Sequence, residues 1–210
     1  MLFILITVCC YNFSKAQDSI SKHFLSSIGL HIGTSSQDSF LGNDPDYSHD
    51  NKFINIQLTH IVKTSGNWTF ELLAQPTYYE TTHQLLNRFY IKPEDFDNFE
   101  ELRERFLQPN DYQEYTLHLG LQTRYHITQN WSMYAIGAVG PQISTESTER
   151  LRKGFTFSDV IGLGTSYRYK NLRWDLKASL RHTSNAQLAK PNSGHNSFSI
   201  ETGVSFLFNN

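Results

Sequence analysis

The chain has 210 residues and a formal net charge of −2, from 18 Lys and Arg against 20 Asp and Glu. This length suits a single domain, and the charge balance gives no support to a nucleic-acid partner or to a basic membrane-surface patch. Hydrophobic residues make up 39% and the mean hydropathy is −0.45. These values exclude a protein built from membrane-spanning helices, each of which needs about 20 apolar residues.

Residues 1–16 have the organisation of a secretory signal peptide. A short apolar run over residues 2–10 precedes Ser14-Lys15-Ala16, whose small residues at positions −3 and −1 predict cleavage before Gln17. Cys9 and Cys10 both lie in this segment, so the mature chain is expected to contain no thiol for a disulfide, a zinc site or a nucleophile. Lipidation of one of these two cysteines is the alternative interpretation.

From about residue 24 the sequence falls into segments of alternating polarity. Along Tyr115–Tyr125, the odd positions are mostly apolar or aromatic and the even positions are polar or Gly. This period of two predicts strands with one apolar and one polar face. Eight such segments are predicted, at 24–34, 52–63, 67–77, 113–126, 131–143, 155–169, 172–183 and 196–208.

The connections between these segments alternate in length. Tight turns are predicted at Ser65-Gly66, 128–130 and Lys170-Asn171, and long polar loops at 35–51, 78–112, 144–154 and 184–195. With the 14% aromatic content, this predicts an all-β fold over residues 17–210: an eight-stranded antiparallel transmembrane β-barrel with short periplasmic turns and long extracellular loops. A soluble barrel would show the same alternation, but the signal peptide, the aromatics and the terminal Phe206-Leu207-Phe208 favour the membrane barrel.

Charged side chains on the polar phase are expected to pair across a narrow lumen; they are Glu71, His118, Arg124, Arg173, Asp175, Lys177, Arg181 and Glu201. The fifth segment alternates poorly, and its Ala and Gly residues indicate close backbone approach. Within the long loop 78–112, apolar residues at helical spacing follow Pro93 and Asp95. We predict a short helix over the barrel mouth, and favour a packed surface helix over a lid.

His182 and Ser184 are the candidate chemical residues. They lie two positions apart on the seventh strand, so their side chains share one face, and they continue the apolar phase of Leu176 and Leu180. We therefore expect them to face lipid at the loop end of the strand. A nucleophilic Ser needs a base within hydrogen-bond reach, although a His-x-Ser pair at a barrel rim is also a common interfacial arrangement.

The run His182-Thr183-Ser184-Asn185-Ala186, followed by Pro191-Asn192-x-Gly194, resembles the active-site stretch of the outer-membrane lipid A 3-O-deacylases (PagL-type enzymes). The resemblance implies an eight-stranded barrel in the bacterial outer membrane and a carboxylic ester hydrolase without cofactor or metal. It further implies His182 as general base, Ser184 as nucleophile, and the 3-O-linked hydroxyacyl chain of lipid A, in outer-leaflet lipopolysaccharide, as substrate.

Two positions depart from the family pattern. Asn196 stands where the family has an acid, typically Glu, fourteen residues after the His. Its amide oxygen could still fix the tautomer of His182, or an acid from loop 35–51 takes the role, or activity is low; Glu201 has the opposite strand parity. Gln187 stands where the family commonly has Gly, so the oxyanion donors are assigned to Asn185 and Gln187 only provisionally.

The alternative function is a non-catalytic outer-membrane barrel, structural, adhesive or lipid-binding, on a decayed enzyme scaffold. A passive pore is disfavoured, because side chains fill the interior of eight-stranded barrels. His60, His118 and His126 are scattered rather than spaced as metal ligands, and His195 is a lesser candidate base. The sequence leaves acyl-chain preference and a homodimer open.

Overall fold

The computed structural model describes residues 24–38, 44–94 and 96–208; the predicted signal peptide, with Cys9 and Cys10, lies outside them. Eight antiparallel strands follow one another in chain order and close into a barrel, with the first strand paired to the last. The predicted eight-stranded fold is confirmed. The strands are β1 Ser27–Ser36, β2 Tyr47–Ser65, β3 Trp68–Leu85, β4 Asn110–His126, β5 Trp131–Ser144, β6 Gly154–Tyr169, β7 Leu172–Ser184 and β8 His195–Leu207.

The β2–β3 hairpin is longer than the sequence predicted. The two strands stay paired from Ser65↔Trp68 up to Tyr47↔Leu85, so the flanking loops are shorter than the predicted 35–51 and 78–112. In the added part of the hairpin, outward side chains such as Asp50 and Glu80 are as polar as the inward ones. The alternation in hydrophobicity therefore fades there, although the strands continue.

The two faces of the barrel wall differ sharply in character. Apart from the upper β2–β3 hairpin, outward positions are mostly apolar and exposed, whereas inward positions are buried and mostly polar. A continuous exposed apolar belt is the outer surface expected of a barrel that is solvated by lipid. Among the described residues, no helix is long and apolar enough to cross a membrane. On β7 the outward set is Leu172, Trp174, Leu176, Ala178, Leu180 and His182.

The charged residues predicted to pair in the lumen do so except His118, which contacts Ser158 Oγ at 2.9 Å, and Arg181 pairs with Glu114, which the prediction did not include. Lys177 Nζ lies 2.9 Å from Glu201, Arg173 Nε lies 3.3 Å from Asp175, Arg124 Nη2 lies 3.6 Å from Glu71, and Arg181 is paired with Glu114. Each partner is almost completely buried, so every charge depends on its neighbour for compensation.

Removal of one charge from this network should destabilise the barrel. Glu114→Gln leaves the buried Arg181 without its carboxylate, and we expect the free energy of unfolding to fall by about 3–5 kcal/mol. Urea unfolding in lipid vesicles, followed by Trp fluorescence, measures the change. Glu146→Gln is the control, because its pair with Arg105 is exposed at 3.4 Å and should contribute about 0–1 kcal/mol. Equal effects of the two variants would contradict the prediction.

The structure of β5 accounts for the poor alternation of polarity in its sequence. Its burial alternates strictly along Trp131–Ser144, but Tyr134, Ile136 and Ala138 point inward and form a small apolar cluster with Leu73. Both faces of the strand are therefore apolar in the middle, and the pattern in the sequence is lost.

The long loop contains the predicted helix, α1, at Phe99–Phe106. It begins later than Pro93 and Asp95 suggested, with Asn98 as its N-cap. Phe106 packs with Leu85 and Ile91 in a buried cluster at the end of β3, and Arg103 donates two hydrogen bonds to the Ile91 carbonyl, at 2.9 and 2.6 Å. These contacts make α1 a packed surface helix.

Candidate active site

The first element of the site is the pair of His182 and Asn196. They are register partners on β7 and β8, and both side chains are exposed on the outer wall. His182 Nδ1 donates a hydrogen bond to Asn196 Oδ1 at 2.7 Å. Because a carbonyl oxygen can only accept, the proton of the neutral imidazole is held on Nδ1, and Nε2 keeps a lone pair that can act as a base.

Ser184, the last residue of β7, lies on the same face as His182 and is partly exposed. Gly194, at φ 72°, lies beside both residues: a Cβ added there would be 3.2 Å from His182 Cε1 and 3.6 Å from Ser184 Cβ. A glycine therefore keeps the space beside the pair open. Within the described residues Ser184 Oγ makes no hydrogen bond to His182; such bonds are often long in enzymes without substrate and tighten on binding.

Asp159 is the residue of this site that the sequence analysis missed. It is the register partner of His182 on β6, on the side opposite Asn196, and it is exposed on the outer wall. Directly opposed residues have Cβ atoms roughly 4.5–5.5 Å apart, and the two side chains line one cleft with Ile161 and Leu180. In the described structure no ion pair within 4.0 Å joins them. The sequence did contain a signal for Asp159, because it is a charged residue at an outward position of β6, where the other outward residues are mostly apolar.

The other acids considered from the sequence lie elsewhere. Glu201 is buried in the lumen against Lys177 and His31, as its parity predicted. In the described part of loop 35–51, Asp44 pairs with Arg150 at 3.2 Å, and Asp46 accepts a hydrogen bond from Asn87 at 2.7 Å. His195 begins β8 and is buried on the inner face, so the structure does not place it beside Ser184.

The two provisional oxyanion residues have different surroundings. Asn185 is buried, and its Nδ2 donates to the carbonyls of Ala189 at 2.8 Å and Pro191 at 3.2 Å. The structure thus uses this amide to hold the loop and does not direct it towards Ser184. Gln187 is exposed, with φ at 64°, and among the described residues its backbone N–H donates no hydrogen bond. This N–H is the freer candidate donor.

Comparison with known proteins finds one similar family and one similar enzyme structure. The family model described as lipid A 3-O-deacylase (PagL) matches residues 105–205, which contain His182, Ser184 and Asn196. The crystal structure of the outer membrane enzyme PagL superposes with a TM-score of 0.53 at 12% identity, covering 84% of this chain and 97% of that chain. Residues 105–205, slightly less than half of the chain, therefore resemble the PagL family, and the chain shares the barrel fold of the PagL crystal structure.

Two further solved structures are similar at lower TM-scores. Neisserial surface protein A (NspA) has a TM-score of 0.47 at 12% identity and covers 87% of this chain and 96% of that chain. OprG from Pseudomonas aeruginosa has a TM-score of 0.46 at 11% identity, with coverage of 91% and 100%. No curated protein matches the chain. The chain is a β-barrel of the bacterial outer membrane.

The backbone of the loop after Ser184 bears on the departure at Gln187. Ala186 and Gln187 have φ of 50° and 64°, in the left-handed region that favours glycine. Gln187 therefore occupies a conformation that the family's usual Gly would adopt without strain.

Gln187→Gly is accordingly expected to raise the free energy of unfolding by about 0.5–1 kcal/mol, because it removes left-handed backbone strain. Urea unfolding in vesicles measures the gain. Leu188→Gly is the matched control one position later, where φ is not positive; it should lower stability by a similar amount. Destabilisation by both variants would contradict the strain at Gln187.

Proposed function

We propose that this chain is a carboxylic ester hydrolase that removes the 3-O-linked hydroxyacyl chain of lipid A. The observation that carries the proposal is the pair His182–Asn196, joined at 2.7 Å on the outward face beside Ser184, within the residues 105–205 that match the PagL family model. A hydrolytic pair that faces lipid suits a lipid substrate, whereas a soluble substrate would approach it only through the bilayer.

The location of the pair within the wall supports this substrate. His182 and Ser184 end β7 at the loop end of the barrel, and long loops of outer-membrane barrels are extracellular. The apolar side chains of Leu180 and Ile161 lie just below them on the outer wall. An acyl chain could pack along these side chains while its ester remains at the level of Ser184.

The residues present can carry out ester hydrolysis in two stages. His182 Nε2 takes the proton of Ser184 as Oγ forms a bond to the ester carbonyl carbon. The carbonyl oxygen becomes an oxyanion, for which the Gln187 N–H is the proposed donor. When the ester C–O bond breaks, the sugar hydroxyl leaves with the proton from His182. Water, activated by the same His182, then hydrolyses the acyl-serine.

Asn196 and Asp159 have complementary roles in this proposal. Asn196 holds the proton of His182 on Nδ1 and so leaves Nε2 available as the base. An amide carries no charge to balance the imidazolium that forms during the reaction. Asp159, opposite His182 on the other side, supplies a carboxylate whose field stabilises that cation without a direct hydrogen bond. Its effect is enhanced by the low dielectric of the bilayer boundary.

The test is mass spectrometry of lipid A from cells that express the protein, compared with cells carrying an empty vector. The expected result is loss of the mass of one hydroxyacyl chain, at the 3 position. The same assay on purified protein and lipopolysaccharide excludes a host enzyme. Unchanged lipid A in both assays would contradict the proposal.

The second candidate is a non-catalytic barrel on a decayed scaffold, which the Asn at position 196 favours. This candidate and the esterase predict different results in one assay. A non-catalytic barrel, purified in its folded form, would leave lipopolysaccharide intact. Measurable deacylation by the wild type removes this candidate.

A further inference from the structure

Three histidines converge inside the barrel, away from the outward-facing site. His49 on β2, His83 on β3 and His195 on β8 are 1%, 2% and 2% exposed and lie at the loop end of the lumen. One ring nitrogen of each lies within 4.8 Å of those of the other two. His49 and His83 are register partners, whereas His195 comes from the far end of the sequence.

The contacts around these rings leave the Nδ1 atoms of His49 and His83 facing each other and the Nδ1 of His195 without a partner. His83 Nε2 donates to the two carboxylate oxygens of Glu149, at 3.0 and 2.8 Å, so its Nδ1 presents a lone pair. That Nδ1 lies 3.4 Å from Nδ1 of His49. His195 Nε2 contacts Thr148 Oγ1 at 3.1 Å, and its Nδ1 is buried without a hydrogen-bond partner.

We propose that His49, His83 and His195 bind one divalent transition-metal ion, with zinc as the best fit, inside the mouth of the barrel. Three imidazoles suit zinc, copper or nickel rather than calcium or magnesium. The carboxylate of Glu149 behind His83 is the usual support of a metal-binding imidazole, since it fixes the tautomer and raises the basicity of the ligand. The buried, unpartnered Nδ1 of His195 gains a partner on binding.

The distances indicate how far the site must adjust. Zinc–nitrogen bonds of about 2.0–2.1 Å place two ligands of a tetrahedral site roughly 3.3 Å apart. The 3.4 Å between His49 and His83 already matches. The His195 ring stacks on that of His49, with centroids 4.4 Å apart and an interplanar angle of 5°. It must tilt out of this stack, because imidazole binds a metal in its own plane.

The surrounding charges permit a cation. Arg181 and Arg150 are the nearby positive groups, and each is paired with its own carboxylate, Glu114 and Asp44. Glu149, almost fully buried, is then the carboxylate that offsets the metal charge. A bound ion would tie β2, β3 and β8 to the loop that carries Thr148 and Glu149, and so clamp the barrel mouth. The proposed zinc site does not depend on the esterase proposal.

The experiment uses the full-length barrel, purified in detergent, stripped with chelator and titrated with zinc chloride by calorimetry. We expect one zinc per chain, and a rise in the thermal unfolding temperature on saturation. Cobalt(II) should give the visible absorption bands of a tetrahedral site. His83→Ala should abolish stoichiometric binding, and Glu149→Gln should weaken it about 10–100-fold.

His118→Gln is the matched control. His118 is also a histidine buried in the lumen, but it lies outside the cluster and contacts Ser158 at 2.9 Å. It should retain full zinc binding. Absence of stoichiometric zinc and cobalt binding in the wild-type protein would overturn the proposal, whichever variants fold. Equal zinc binding by folded His83→Ala and wild type would overturn it as well.

Discussion

Replacement of Ser184 by Ala is expected to abolish deacylation of lipid A, with a fall in kcat of about 10⁴-fold or more. In the proposed mechanism Ser184 Oγ forms the covalent bond to the acyl group, and Ala offers no nucleophile in its place. Any residual rate would come from binding and from the oxyanion donor alone. The measurement is the rate of fatty-acid release from purified lipopolysaccharide.

Ser179→Ala is the matched control for this variant. It lies on the same strand but on the inner face, so it should keep the wild-type rate. His182→Ala should lose as much activity as Ser184→Ala, and the double variant should lose no more, because the two residues act as a unit. Substantial activity in a folded Ser184→Ala protein, as judged by its migration on unheated gels, would rule out Ser184 as the nucleophile.

Asn196→Leu is expected to lower kcat by about 10²–10⁴-fold. The leucine leaves His182 Nδ1 without the acceptor that now lies at 2.7 Å, so the imidazole can adopt the tautomer that carries its proton on Nε2. Asn196→Asp restores an acceptor of the same size together with a charge, and should match or exceed the wild type. A wild-type rate in Asn196→Leu would show that Asn196 does not position His182.

The contribution of Asp159 is measured by combining substitutions at positions 159 and 196. Asp159→Asn should lower kcat about tenfold in the wild-type background, where it is the only proposed negative charge beside His182. In the Asn196→Asp background the same change should have little effect, because a second carboxylate is present. Identical effects of Asp159→Asn in both backgrounds would exclude a shared electrostatic role.

The sequence by itself determined the features that depend on local periodicity. A period of two fixes which side chains share a face, and it correctly put His182, Ser184 and Asn196 on the outer wall and Glu201 in the lumen. Turn residues and loop lengths gave the strand count. The same local logic failed in β5 and in the upper β2–β3 hairpin, where both faces have similar polarity and the alternation disappears.

Only the tertiary structure decided which residues from separate strands come into contact. A tight turn sets the register of the two strands that it joins, but the register across long loops and across the closure of the barrel is not encoded in one local segment. The β6–β7 hairpin brings Asp159 beside His182, whereas closure of the barrel brings His195 to His49 and His83. The proposed catalytic pair could be found in one strand and Asp159 lies across a tight turn from it, whereas the buried histidine cluster exists only because the strands close into a barrel in this register.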